Sequence, residues 1–164
     1  MYAGKIISVR VDRIELPNGR TATREVVEHP GAVAVLALTA PESVVLVRQF
    51  RYPINEITLE LPAGKLEQGE DPLRAAHREF AEETGFVAGQ MEFVTSFYST
   101  PGFSDERMRL YLATDLKAGT PRPDDDEFLD CLTVDRSTAA RMIGEGAFTD
   151  AKTLVGLLWW LQRT

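Results

Sequence analysis

The stretch Gly64–Phe86, GKLEQGEDPLRAAHREFAEETGF, decides how this chain is read. Its second half has helical spacing. Asp71 is an N-cap candidate followed by Pro72 in the first turn, and Leu73, Ala76, His77 and Phe80 fall along one side as the expected core stripe. Glu79, Glu82 and Glu83 stand at i, i+3 and i+4, an arc of about 100° beside that stripe. Like charges at this spacing repel by about 0.2–0.5 kcal/mol per pair in an isolated helix. Either solvent screens the cluster, as on any acidic helix face, or a cation belongs there. Arg78 is placed to pair with Glu82 at i+4. Glu70 precedes the helix, and the turn PAGK, residues 62–65, lets backbone carbonyls approach the same end. Hard oxygen donors of this kind suit magnesium, which takes one or two carboxylates and completes its octahedron with water and phosphate.

Outside this stretch, the 164 residues fit one domain spanning 1–164, and 44% hydrophobic with 9% aromatic residues are enough for a core. The net charge of −7 gives no general attraction to nucleic acid or to an anionic membrane, so an anionic substrate needs a local basic patch or metal. The single cysteine, Cys131, excludes an internal disulfide framework and a cysteine-rich metal site; it reads as a small core residue in a strand and fits a reducing compartment. The first residues, MYAGKIISVRVDRIEL, carry charges throughout and lack the apolar core of a signal peptide. The apolar runs GAVAVLAL and LVGLLWWL are eight residues each, too short to span a bilayer. The expectation is a soluble, cytoplasmic protein.

The chain alternates strand and helix patterns without repeats. KIISVRVDRIEL and TATREVVEH flank the turn PNG and predict an N-terminal hairpin within residues 1–29. GAVAVLALT and SVVLVRQF read as buried central strands. EITLELPAG sets Ile57, Leu59 and Leu61 against Thr58 and Glu60 before breaking at Pro62 and Gly64. GQMEFVTSFYS, ERMRLYLATDL and EFLDCLTV supply further strands. STAARMIGEG, with Ser137 as cap, and DAKTLVGLLWWLQR, with Asp150 as cap, are closing helices. The simplest architecture is α+β, one mixed sheet flanked by helices.

The residues of 64–86 resemble the Nudix hydrolase box: a glycine, five residues, Glu, seven residues, Arg-Glu, a bulky apolar residue, one residue, Glu-Glu, one residue, Gly and a bulky apolar residue. Gly64, Glu70, Arg78, Glu79, Phe80, Glu82, Glu83, Gly85 and Phe86 occupy its positions. Phe80 stands where an aliphatic residue is commoner, a difference of packing. The resemblance implies an α/β/α sandwich whose box binds Mg²⁺ or Mn²⁺ and hydrolyses a nucleoside diphosphate linked to another moiety. It makes Glu79 and Glu83 the principal metal ligands, Glu82 a further ligand or water bridge, the Ala63 carbonyl a backbone ligand and Arg78 their orienting partner.

VRQFRYP, LELPAGKLE and FYSTPGFSDE, with Pro101 sixteen residues after Gly85, resemble the ADP-ribose pyrophosphatase branch; similarity runs from about Arg24 to Leu132. That branch implies cleavage of ADP-ribose to AMP and ribose 5-phosphate. The alternatives are another nucleoside diphosphate derivative (a dinucleoside polyphosphate, a nucleotide-sugar or an oxidised nucleotide) or a non-catalytic ADP-ribose-binding regulator. Arg51 is the candidate phosphate or ribose grip, since guanidinium makes paired bonds to phosphate oxygens. Arg24 and Glu28 lie where nucleoside contacts come from in the family, and Pro101, Tyr98 and Glu106 complete the substrate-side set. Tyr98 and Phe103 stack or pack, with core packing preferred, and His29 and His77 read as structural. From the acidic run PRPDDDEF, Glu127 and Asp125 match a carboxylate that the family brings over the metals as general base or ligand, against the plain alternative of a solvated loop. A homodimer follows from the same branch, with the hairpin lending Arg24 to the partner's pocket.

Overall fold

β-Branched residues in alternation on either side of a Pro-Asn-Gly turn build an antiparallel ribbon at the start of the chain. In the computed structural model, which describes residues 1–122 and 128–163, strands β2 (Ser8–Glu15) and β3 (Thr21–Glu28) pair with Ser8 opposite Glu28 and Glu15 opposite Thr21. A two-residue edge strand, β1 (Tyr2–Ala3), joins β2 and was not foreseen. The ribbon is tied to the rest of the molecule at Val27, whose N–H donates to the Phe103 carbonyl at 2.8 Å and whose carbonyl accepts from Asp105 at 3.2 Å.

The second sheet holds β4 (Ala32–Ala40), β5 (Ser43–Arg51), β6 (Glu56–Glu60), β7 (Ala63–Lys65), β8 (Phe86–Tyr98), β9 (Arg107–Ala118) and β10 (Asp130–Asp135), with helices α1 (Pro72–Thr84), α2 (Arg136–Gly144) and α3 (Ala151–Leu161) around it. Its main path runs β10-β5-β4-β9-β8, and the parallel pairing of β4 with β9 makes it mixed. Near their turn β4 and β5 pair directly, Ala37 opposite Val45, and then they part. Val47 of β5 faces Cys131 on one side and Glu60 on the other, so β6 lies on the β4 side of β5. Ala32–Ala34 of β4 pair with β9 on one side and with β7 on the other. The segment β6–Leu61–Pro62–β7 therefore fills the wedge between two diverging strands, pinned by the Val35 N–H on the Pro62 carbonyl at 2.8 Å.

Alternation along the central strands divides the core into two layers. Ala34 and Leu36 of β4, with Leu46, Leu61 and Leu110, pack under α2 and α3 through Ala139, Phe148, Leu157 and Trp160. Val33, Val35 and Ala37, with Val45 and Tyr111, pack under α1 through Ala75, Ala76 and Phe80. This is the expected α/β/α arrangement with an N-terminal hairpin.

Several local expectations are corrected. The buried stripe of α1 is Ala75, Ala76, Phe80, Glu83 and Thr84, whereas Leu73 and His77 are exposed. Two polar residues are tolerated inside because each has a partner: Thr84 Oγ1 donates to the Phe80 carbonyl at 2.5 Å and Glu83 accepts from a backbone N–H described below. In β6 the polar residues, Thr58 and Glu60, are the buried ones, and Ile57 is 68% exposed. The N-cap of α2 is Asp135, which accepts from Thr138 N at 2.9 Å and from the Ser137 hydroxyl at 2.6 Å, so Ser137 donates to the cap instead of being it. Asp150 caps α3 as expected. Cys131 lies on the sheet edge strand β10 and is exposed, not a core residue. Tyr98 and Phe103 are likewise exposed. Among the described residues no helix is long and apolar enough to cross a membrane.

Candidate active site

The acidic helix is anchored at both ends. Asp71 accepts from Leu73 N and Arg74 N, each at 3.1 Å, with Pro72 at the first position, where a missing N–H costs nothing. Gly85 closes the helix in the left-handed region at φ 73°, donating to the Ala81 carbonyl at 2.9 Å. This fixes the carboxylates against the β7 strand. A Cβ on Gly64 would lie 2.0 Å from the Glu79 carboxyl carbon, so only glycine leaves room for that carboxylate against the backbone. One turn on, Glu83 is 5% exposed and its Oε2 accepts the Ala63 N–H at 3.0 Å.

Arg78 ties the acidic groups together. Its guanidinium donates to both Glu70 oxygens at 2.9 and 2.8 Å, to Glu79 Oε1 at 2.8 Å and to Glu82 Oε2 at 3.1 Å. These bonds, those from Arg78 first, hold the Glu70 carboxyl down at about 2, and the Glu70 bond raises Arg78 itself further above its usual range. Glu70 also accepts from Glu67 N at 3.1 Å, closing the loop before the helix. Like charges that repel on an isolated helix are here gathered around one fixed cation.

Two clefts open on this frame. One, of about 440 Å³, is bounded by Glu79, Glu82 and Arg78 on the helix side and by Lys5 and Ile6 from the N-terminal segment. The other, of about 340 Å³, is bounded by His29, Phe97, Ser99, Glu106 and the start of α3. Arg51, Ala63, Gly64 and Lys65 line both, so the strand crossing the wedge is a shared wall.

Arg51 stands on that wall with its guanidinium paired to Glu60, Nε to Oε1 at 2.8 Å and Nη2 to Oε2 at 2.6 Å. Glu60 is buried at 1% exposure and also receives Thr58 Oγ1 and Lys152 Nζ, each at 2.5 Å. Burial pushes the Glu60 carboxyl up, but the bonds from Arg51 and the charge of Lys152 outweigh it and leave it at about 2. The Glu60 bond in turn raises Arg51, against the opposing effect of burial. Across the second cleft the Ser99 hydroxyl donates to Glu106 Oε2, and His29 Nε2 lies 3.7 Å from Glu106 Oε1. His29 Nδ1 accepts from Gly31 N at 3.0 Å, which leaves Nε2 to carry the proton toward Glu106.

The fold thus brings Ala63, Arg78, Glu79, Glu82, Arg51 and Glu106 around two adjoining clefts, with Glu83 buried against the Ala63 N–H. Other expected residues stand apart within the single chain. Arg24 is exposed on β3, bonded to its neighbour's Thr23 carbonyl at 2.9 Å, and Glu28 is exposed and held by Arg10 at 3.1 Å. Pro101 and Tyr98 are exposed at and before the turn that follows β8. Glu127 and Asp125 lie outside the described residues. Glu60 and Lys152 were missed. The signal for Glu60 was a polar residue alternating with Ile57, Leu59 and Leu61 in one strand, and Lys152 carried none beyond following a capping aspartate.

Among the described residues no three His, Cys, Asp or Glu side chains converge as a ready metal cage. A divalent cation nevertheless fits the donor set: the Glu79 carboxylate in a cradle that a Cβ would fill, Glu82 beside it, and oxygen donors throughout, with phosphate and water left to complete the shell.

The sequence and the fold both have known relatives. The NUDIX domain model matches residues 28–154, and the model of the nucleoside diphosphate sugar hydrolase N-terminal domain matches residues 1–27. The chain is 44% identical to the methanol dehydrogenase activator of Bacillus methanolicus over 96% of its length and 86% of the relative's. It is 43% identical to an ADP-ribose pyrophosphatase of Bacillus subtilis, covering 93% of this chain and 84% of that protein. A crystal structure described as an ADP compounds hydrolase shares the fold with a TM-score of 0.84 at 21% identity, over 96% of this chain and 86% of that one.

Proposed function

We propose that this chain, which belongs to the Nudix hydrolase family, hydrolyses the diphosphate of ADP-ribose or a related ADP-sugar to AMP and ribose 5-phosphate, with Mg²⁺, or Mn²⁺ in its place. The observation that carries this reading is the seating of Glu79 against Gly64 and of Glu83 on the Ala63 N–H, beside a cleft whose wall presents Arg51. When bound, the metal supplies charge neutralisation for the diphosphate and acidifies water near neutral pH. Glu79, Glu83, Glu82 and the Ala63 carbonyl hold it. Arg78 keeps Glu79 and Glu82 oriented while Glu70 keeps Arg78 in place. Arg51 grips a phosphate from the shared wall, and Glu106 borders the sugar end.

Glu127 or Asp125 takes the proton of the attacking water. Arg122, the last described residue before their run, donates its N–H to the Glu82 carbonyl at 2.9 Å. A homodimer completes the nucleoside side, with Arg24 and Glu28 of one protomer serving the other's cleft; their exposure in the single chain supports this. Sedimentation at micromolar concentration gives a dimer mass, and an active monomer overturns the claim. The reaction itself is tested by AMP release from a panel of ADP-ribose, nucleotide-sugars and dinucleoside polyphosphates with Mg²⁺. ADP-ribose is cleaved with the highest kcat/KM, and failure to release AMP from it refutes the reading. The similarity to a protein named for activating a methanol dehydrogenase favours a second reading, in which this site serves regulation of a dehydrogenase; a methanol dehydrogenase rate measured with and without this chain tests it.

A further inference from the structure

At the junction of β6 and α3, 92 residues apart in sequence, Glu60 and Lys152 form an ion pair with both side chains almost fully buried, at 2% and 9% exposure. Removing two charges from water costs several kcal/mol per ion, and a hydrophobic pair of similar volume would commonly be as stable. The pair is therefore poor evidence for stability and asks for another role. Glu60 accepts from Arg51 with both oxygens, from Thr58 and from Lys152, so its acceptor sites are filled. Lys152 is not filled. Its ammonium has three N–H donors, and its partners are Glu60 Oε2 at 2.5 Å and Asp150 Oδ2 at 3.0 Å. Lys152 lines the cleft that runs along the shared wall, and so does Arg51, whose guanidinium edge beyond Glu60 is also uncommitted. One carboxylate thus holds two cations at one cleft wall, each with donors to spare.

We propose that Lys152 and Arg51 together form a two-pronged seat for the diphosphate of the substrate, and that Glu60 is the positioning residue that fixes both prongs. The seat rests on the reading above for its substrate, but its chemistry requires only two adjacent phosphates. Cations held in place by Glu60 lose little side-chain entropy on binding, and they contact phosphates present in the ground state as in the transition state, so the seat acts chiefly as uniform binding. Its loss appears in affinity and KM more than in kcat.

The test is calorimetric titration of ADP-ribose, and separately of inorganic pyrophosphate, without divalent metal, into the wild-type protein and the Lys152→Met and Glu60→Gln variants, with steady-state kinetics alongside. Lys152→Met keeps Glu60 paired with Arg51 and Thr58, so it folds, as circular dichroism and the melting temperature check. The expected result is at least tenfold weaker binding of both probes by both variants, with KM rising in step, kcat within about threefold and Lys152→Arg recovering part of the loss. Folded Lys152→Met that binds ADP-ribose and pyrophosphate within twofold of wild type overturns the seat, even if Glu60→Gln is too unstable to titrate. Wild type that binds pyrophosphate through Lys152 but ignores ADP-ribose keeps the seat and sinks the substrate. Undiminished ADP-ribose binding in the variant does the reverse.

Discussion

Gly64→Ala tests the site with one methyl group. The added Cβ would meet Glu79 Cδ at 2.0 Å and its two oxygens at 2.1 and 2.3 Å, where ordinary contact begins near 3.4 Å, so the carboxylate must retreat by more than an ångström. What it meets is the end of a flexible side chain, and Gly64 has no positive φ that alanine would resist. An off-rotamer Glu79 costs about 0.5–1.5 kcal/mol. Against this, replacing glycine by alanine in a compatible conformation stabilises by about 0.4–1 kcal/mol through the unfolded chain. The two nearly cancel, so the melting temperature moves by a few degrees at most. Chemistry has no such compensation. Displacing a reacting group by about 1 Å costs on the order of 10²-fold in rate, and the retreat also breaks the 2.8 Å bond to Arg78 that orients Glu79. The assay is AMP release from ADP-ribose across a Mg²⁺ titration, with a thermal melt on the same samples. A folded Gly64→Ala protein with kcat within threefold of wild type at saturating metal refutes the placement of Glu79 as a ligand.

Glu79→Gln and Glu83→Gln each lower turnover by orders of magnitude with the fold intact, because the Glu83→Gln amide oxygen still accepts the Ala63 N–H; near-normal rates for both at saturating Mg²⁺ remove the metal-site assignment. The Glu60 carboxyl is held at about 2 against its usual 4.5, so its contribution to stability is complete above about pH 4.5 and is lost as pH falls through about 2. Urea unfolding between pH 6 and 2.5 therefore shows a steeper acid loss in wild type than in Glu60→Gln, and equal slopes contradict the ion pair. Glu127→Gln or Asp125→Asn, but only one of them, reduces kcat by about 10²–10⁴-fold with little change in KM. If the double variant keeps more than about a tenth of wild-type turnover, the base lies elsewhere, with Glu82, Glu70 and Glu106 next.

The parts of this site that the sequence made legible are those whose physics is local. Asp71, Pro72 and Gly85 mark a helix by cap chemistry that needs no tertiary partner, and three glutamates at i, i+3 and i+4 must share a face wherever the helix packs. Which face is buried is a different question, because it depends on what α1 meets. Glu83 turns inward on account of the Ala63 N–H, a donor that exists only because β7 crosses the wedge between β4 and β5. A three-residue strand has too short a pattern to be read, so the feature that rotates the helix was itself hidden.

The same limit explains Glu60. Period-two alternation in EITLE gives two faces and does not say how deeply each is buried; hydrophobicity favours Ile57 and Leu59, yet Thr58 and Glu60 are the buried pair, while Leu59 packs on the core only in part and Ile57 is exposed. The choice is affordable only because Arg51, nine residues earlier, and Lys152, ninety-two later, arrive together to satisfy a buried carboxylate. A buried polar face that needs two cations from distant segments is thus a sign that it carries work other than folding. Here the buried face sets Glu60 between Arg51 and Lys152, two cations that line the same cleft, so one side chain fixes both prongs of the proposed phosphate seat.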